Sequence, residues 1–178
     1  ARFLSGWGLL VMALTTAFAS FDWLMAVDFR FFSTMWGVWY FSGGMTTSLS
    51  FVILILAALR LSGRLTDCVP KEHFHDLGKL LFGFPVFWAY ISFSQYFLIW
   101  YSNIPEETIF FAVRLENGWE NMFAFLAFGH FIAPFFILLI RNVKRSTAGL
   151  ALISIWMILM QVMDMIYDLP AKDWMGLD

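Results

Sequence analysis

Few side chains in this sequence can exchange a proton, and several of them stand inside long apolar runs. His130 lies near the middle of the run over about residues 119–140. Asp164 lies in the next run, about two turns outward from its centre, with Gln161 one turn deeper on the same helical face. Gln95 and Ser92 share a face of an earlier run. An ionisable group placed at the centre of a bilayer costs at least about 2.5 kcal/mol, so such groups usually have a reason to be there. If the three runs face one another, these side chains form a polar column that leads to one membrane surface through Asp164, Tyr167 and Asp168. His and Asp exchange protons near neutral pH when their surroundings tune them, so the column could relay protons. It could also hydrogen-bond a quinone carbonyl. The third possibility is polar glue between helices, each bond worth about 1 kcal/mol.

A second group stands at the start of the same early run: Glu72, His73, His75, Asp76 and Lys79. Asp76 and Lys79 are spaced to pair across one turn. They could form the inner mouth of a proton path, or be solvated charges with Lys79 snorkelling to the surface. His73 and His75, two apart, point away from each other on a helix, so no metal site is expected. The single cysteine, Cys68, excludes an internal disulfide, a cluster held by this chain alone and c-type haem attachment. It is expected to be an inert loop thiol. A bilayer b-type haem needs two facing histidines, and only His130 is deep. There is no Gly-rich phosphate loop or nucleophile elbow. No cofactor is therefore expected to be held by this chain itself; redox centres would belong to partners.

The elements that must position these groups follow from composition. Hydrophobic residues make up 61% of the sequence and charged residues 13%, with a mean hydropathy of +0.74. That is about half the charge of a soluble domain, and the apolar residues come in blocks. The expected class is all-α: a polytopic membrane protein with about five spanning helices in one bundle, near residues 2–23, 34–59, 77–101, 119–140 and 147–169. Gly6, Ala13, Ala17 and Ser20 should pack the first helix closely. Gly43, Thr47 and Ser50 should do the same for the second, or line a wet cavity. The aromatic stretch FDWLMAVDFRFFSTMWGVWYF reads as an interfacial connection. SNIPEETIFFAVRLENGWE reads as an acidic exit loop, with Glu106, Glu107, Glu116 and Glu120. Pro134 withholds the amide that would bond the carbonyl of His130, so a kink is expected there. Lys172 to Asp178 form a polar tail. The chain opens on Ala1 and is expected to be part of a longer one. The net charge of −2 gives no sign of a nucleic-acid partner.

Basic residues set the expected orientation. Arg2, Arg60, Arg64, Lys71, Lys79, Arg141, Lys144 and Arg145 would share one side, against Arg30, Arg114 and Lys172 on the other. The richer side is expected to be cytoplasmic. The N terminus of the segment would then lie inside and its C terminus outside.

Three strings together carry a family resemblance: FDWLMAVDFRFFSTMWGVWYFSGG, HDLGKLLFGFPVFWAYISFSQYFLIWYSNIPEET and FGHFIAPFFILLIRNVKR. They resemble the ActF-type subunit of alternative complex III, a bacterial quinol:cytochrome c (or other acceptor) oxidoreductase. Such subunits are similar to the NrfD/PsrC membrane proteins. The resemblance implies the C-terminal half of a ten-helix chain in a bacterial cytoplasmic membrane. It implies a paralogous membrane subunit, an iron–sulfur protein and haem c subunits as partners. It also implies a role at or near quinol oxidation, with proton translocation. Within that family the paralogue is the stronger candidate for the quinol pocket, with the ActF-type subunit conducting protons or bracing the complex. The family pattern of a His followed three residues later by Asp, near the end of the last helix, is Gln161 and Asp164 here. Gln takes no proton at physiological pH, so a relay at that place would rest on Asp164. Two other classes stay open: a purely structural subunit, and an independent secondary transporter, against which stands the lack of paired broken helices.

Overall fold

In a computed structural model the described residues are 2–27, 31–63, 70–115 and 119–168, and among them the secondary structure is helical throughout. Arg30, Arg64, Cys68, Glu116 and Lys172 to Asp178 lie outside the described residues. Five segments are long and apolar enough to cross a membrane: Phe3–Val27, Trp36–Leu61, Glu72–Ser102, Trp119–Leu139 and Thr147–Asp168. This is the expected helical membrane bundle. Helix α1 (Arg2–Trp23) leads through a short turn to α2 (Trp36–Leu61), then α3 (Lys71–Ser102) and a short α4 (Pro105–Arg114). The fourth span comprises α5 (Trp119–Leu126), a π-helical stretch (Ala127–Ile132) and α6 (Ala133–Leu139). Then α7 (Arg141–Arg145) precedes α8 (Thr147–Asp168).

Several boundaries differ from the sequence expectation, each for a local reason. Helix α3 starts at Lys71 rather than near residue 77. Extended Pro70 punctuates its start, and Glu72 in the first turn complements the positive helix end. The helix then continues through Pro85. Its far end closes on Asn103 in the left-handed region (φ 49), whose amide donates to the carbonyl of Ile99 at 3.1 Å. The expected acidic loop is instead largely helix α4. Its signal was in the sequence: Pro105 in the first turn, followed by Glu106 and Glu107.

Helix α2 is the hub, packing against α1, α3 and α8. Its buried stripe is Ser42, Gly43, Thr46 and Ser50, with Thr47 only half-buried. Gly43 makes room for a side chain of α8: a Cβ there would lie 2.6 Å from Gln161 Nε2. Gly37 admits Ala17 of α1 in the same way, at 2.7 Å. Ser20 is buried beside it, whereas Gly6 meets nothing within 4 Å. The expected small-residue face of α1 is thus used only toward its C-terminal end.

Two apolar clusters fill the bundle. Ile53, Ala57, Phe74, Leu81, Leu138, Leu150 and Ile153 close one half. Around that half stand the basic residues, with the Arg60 guanidinium 5.4 Å from the Phe74 ring and Lys144 Nζ 5.7 Å from the Phe82 ring. The other half is aromatic: Phe31, Trp36, Trp39, Trp88 and Phe110, with Ile91 and Ile99. Phe31 stacks on Phe110 at 3.9 Å. The stretch read as an interfacial connection therefore sends Phe31, Trp36 and Trp39 into the core, in one cluster with Phe110 of α4.

Gly43→Leu should lower stability by about 1–3 kcal/mol through overpacking against Gln161. Gly44→Leu should be nearly neutral, since a Cβ at 44 meets nothing within 4 Å. Thermal unfolding in detergent checks the pair; equal losses would deny the close contact of α2 and α8.

Candidate functional site

The buried polar groups meet where α3, α8 and the π-helical stretch converge. Trp88 of α3 donates its indole Nε1 proton to Asp164 Oδ2 at 2.9 Å, and Gln161 Nε2 donates to the same oxygen at 3.4 Å. The His130 imidazole stacks on the Trp88 ring, with centroids 4.1 Å apart and planes inclined by 24°. His130 Nδ1 stands 3.8 Å from Asp164 Oδ2, beyond hydrogen-bond reach. Neither ring nitrogen of His130 has a hydrogen-bond partner among the described residues. His130 is 0% exposed and Asp164 3%. An imidazole whose two nitrogens have no partner among the described residues sits beside a carboxyl group, both of them buried. A small shift of either side chain would complete a bond through which a proton could pass.

The local backbone explains how His130 comes to lie there. In the π-helical stretch bonds run from residue i+5 back to residue i, and the Ala133 amide donates to the carbonyl of Phe128. The next such bond would need an amide from Pro134, which has none. The carbonyl left without a helical donor is therefore that of Gly129, one residue earlier than a regular helix would give. Trp156 of α8 fills the gap, donating Nε1 to the Gly129 oxygen at 2.8 Å. Where a local kink was expected, the helix winds as a π-helical stretch whose free carbonyl is capped from a neighbouring helix.

Next to this cluster, in the aromatic half, lies a cavity of about 400 Å³. Trp36, Trp39, Trp88, Phe110 and Phe131 are among its walls, and Asp164, Asp168, Gln95 and Ser92 supply polar groups. Trp39 Nε1 donates to Ser92 Oγ at 3.0 Å. Three polar atoms of lining residues have no partner among the described residues: Trp36 Nε1, Gln95 Nε2 and Asp168 Oδ2. On α3, Trp88, Ser92 and Gln95 succeed each other at i, i+4 and i+7 along one face. Phe93, Phe123 and Ile132 also line the cavity and are exposed on the outer face of the bundle, 39–65% for each. The cavity mouth therefore opens where lipid chains would lie.

Arg114 packs against Phe110 of the cavity wall. It is 2% exposed, and its guanidinium donates to the carbonyls of Phe110 (2.9 Å), Tyr167 (3.2 Å) and Asp168 (3.2 Å). The last carbonyls of a helix lack partners of their own and carry partial negative charge, so a cation there both bonds and neutralises them. The guanidinium carbon also stands 3.5 Å from the Phe110 ring centre. Arg114 thus ties α4 to the end of α8 and holds Phe110 in the cavity wall.

No family model matches the chain, and no curated protein matches it. Its chemistry must be argued from this geometry.

Of the residues singled out in the sequence, His130, Asp164 and Gln161 come together, and Gln95 and Asp168 join them as cavity walls. Asp76 and Lys79 do not. They form the expected ion pair, at 2.7 Å, but both are well exposed at the opposite end of the bundle. The buried apolar cluster of Leu81, Leu138 and Leu150 lies between. From the Gly43–Gln161 contact, Ser50 and Ser154 both lie seven residues deeper, about 10 Å along the two antiparallel helices. Both are fully buried, so the hydroxyl-bearing face continues to that depth before the apolar cluster begins. Trp88, Trp156, Arg114 and Trp36 were not singled out beforehand. Nothing local in the sequence says which acceptor an indole or guanidinium group meets.

Trp88→Phe keeps the ring against His130 but removes the donor to Asp164. It should cost about 1–3 kcal/mol in thermal unfolding, the penalty of an unmade buried bond. Arg114→Met keeps the stem and removes three bonds. Amide exchange should then rise in α4 and the last turn of α8 while α2 stays protected; exchange unchanged at α4 would show that Arg114 does not hold it.

Proposed function

We propose that this chain is a membrane subunit of a bacterial quinol:acceptor oxidoreductase, supporting quinol oxidation by accepting protons from the quinol into a buried polar cluster. The observation that carries the proposal is the juxtaposition of an aromatic, lipid-facing cavity with Asp164 in its wall and His130 behind it. A quinol headgroup is a flat ring with two hydroxyls on an apolar body. Aromatic walls suit the ring, and a mouth open to lipid suits the tail. Gln95 Nε2 and Trp36 Nε1 are buried donors suited to ring oxygens, and Asp168 and Asp164 are acceptors for ring protons. The resemblance of the three sequence strings to ActF-type subunits supports the same reading. In this reading electrons leave through iron–sulfur and haem c groups of partner subunits, and a paralogous membrane subunit lies alongside.

The basic end of the bundle faces the cytoplasm, by the distribution of Lys and Arg. The cavity then lies in the outer half, and protons pass from the headgroup through Asp164 toward Asp168 and the outer side. Proton translocation from the inside would have to pass the Leu81, Leu138 and Leu150 cluster, with Ser50 and Ser154 as its nearest hydroxyls.

Asp164→Asn tests the role of the carboxylate, because the Asn oxygen still accepts from Trp88 while no longer accepting a proton. Quinol-dependent turnover of the assembled complex should fall by about 100-fold, within the usual range for loss of an acid–base group, with assembly intact. A fall in complex yield with normal turnover per complex would mean that the cluster is helix glue. Purification separates the remaining class: copurified haem c and iron–sulfur proteins support the proposal, and a chain stable and active alone would be a transporter.

A further inference from the structure

Pro134 forces one backbone oxygen to go without a helical donor whichever way the fourth span is wound. In an α-helical register that oxygen belongs to His130; in a π-helical register it belongs to Gly129. In the apolar interior such an oxygen must find another partner. The chain adopts the π register over Ala127–Ile132, and the bare oxygen is then the one Trp156 Nε1 reaches, at 2.8 Å. Gly129 makes the approach possible. A Cβ there would lie 2.7 Å from Met160 Sδ and 3.4 Å from Trp156 Cζ2, so α8 packs against bare backbone.

The winding also decides where His130 points. Successive residues of a helix are turned by about 100°, so rewinding the stretch as a regular helix would carry the imidazole off the Trp88 ring. We propose that Trp156 is a positioning residue: by holding the Gly129 carbonyl it fixes the π register that keeps His130 stacked on Trp88 beside Asp164. Remove the indole N–H and the Gly129 oxygen goes bare, so the π register loses its advantage over the better-bonded α-helix. This assignment rests on the proton role proposed for His130, but its structural half stands apart from that role.

The test uses Trp156→Phe in the intact protein within its native complex, with three readouts. A structure of the variant should show residues 127–132 rewound and the His130 ring away from Trp88. Quinol-dependent turnover should fall by about tenfold or more, as a misplaced reacting group does. In a Pro134→Ala background residue 134 has an amide of its own, so adding Trp156→Phe should change neither yield nor thermal stability further. An unchanged π register with His130 in place overturns the proposal. So does a Trp156→Phe penalty that is as large with Pro134→Ala as without it, an outcome still readable if the single variant folds poorly. If the ring moves and turnover does not, the positioning stands and the proton role of His130 fails.

Discussion

The close approach of α2 and α8 at Gly43 is the contact on which the rest depends. Bare backbone at residue 43 lets the Gln161 amide lie against α2, with 2.6 Å to the place of a Cβ. That contact fixes the depth of α8. Asp164, one turn further out, then reaches the Trp88 indole, and Trp156, five residues deeper on α8, reaches Gly129. A lipid environment offers helices little hydrophobic reason to associate, so such close packing and the hydrogen bonds it permits do most of the work. Here the Trp88 bond that joins α3 to α8 also holds the Asp164 side chain, with Gln161 as a second donor.

Satisfaction of polar groups explains the irregular parts of the fold. The Trp156 bond to Gly129, beside Pro134, and the Arg114 bonds to the end of α8 supply donors to carbonyls that helix geometry leaves bare. Ser42 donates to the carbonyl of Phe84, next to Pro85 in α3. Against this background the unpaired atoms are informative. Both nitrogens of His130, with Gln95 Nε2, Trp36 Nε1 and Asp168 Oδ2, lie in or beside one cavity. Five of the eight buried unpaired side-chain atoms among the described residues belong to this group, and that concentration supports a site that receives a ligand or a proton.

The two halves of the bundle have different physical characters. The basic half is closed by aliphatic side chains, most of them fully buried. The other half is built of rings that meet at edges and faces, such as Phe31 on Phe110 and Trp36 against Trp39. Rigid rings leave gaps that aliphatic chains would fill, and the cavity is in that half. Helix α4 completes it, since Phe110 and Phe111 come from this segment and Arg114 locks it down.

The sequence by itself determined the helices and the class of fold. Five apolar runs of spanning length can be satisfied in lipid only as helices, and that requirement is local. It also determined which residues are chemically able to act: His130, Asp164, Gln161, Gln95 and Asp168 stand out because polar groups are costly in such runs. Even α4 was legible, from Pro105, Glu106 and Glu107 at its start. Tertiary structure decided which of these residues meet. Asp76 and Lys79 share α3 with Trp88, yet an apolar cluster separates them from Asp164, and no spacing within one helix reveals what the neighbouring helices put between. The partners of Trp88, Trp156 and Arg114 were likewise hidden, because each reaches an acceptor on another helix. The register of His130 depended on both levels, since Pro134 dictates that a carbonyl be left bare and the position of Trp156 on α8 decides which one.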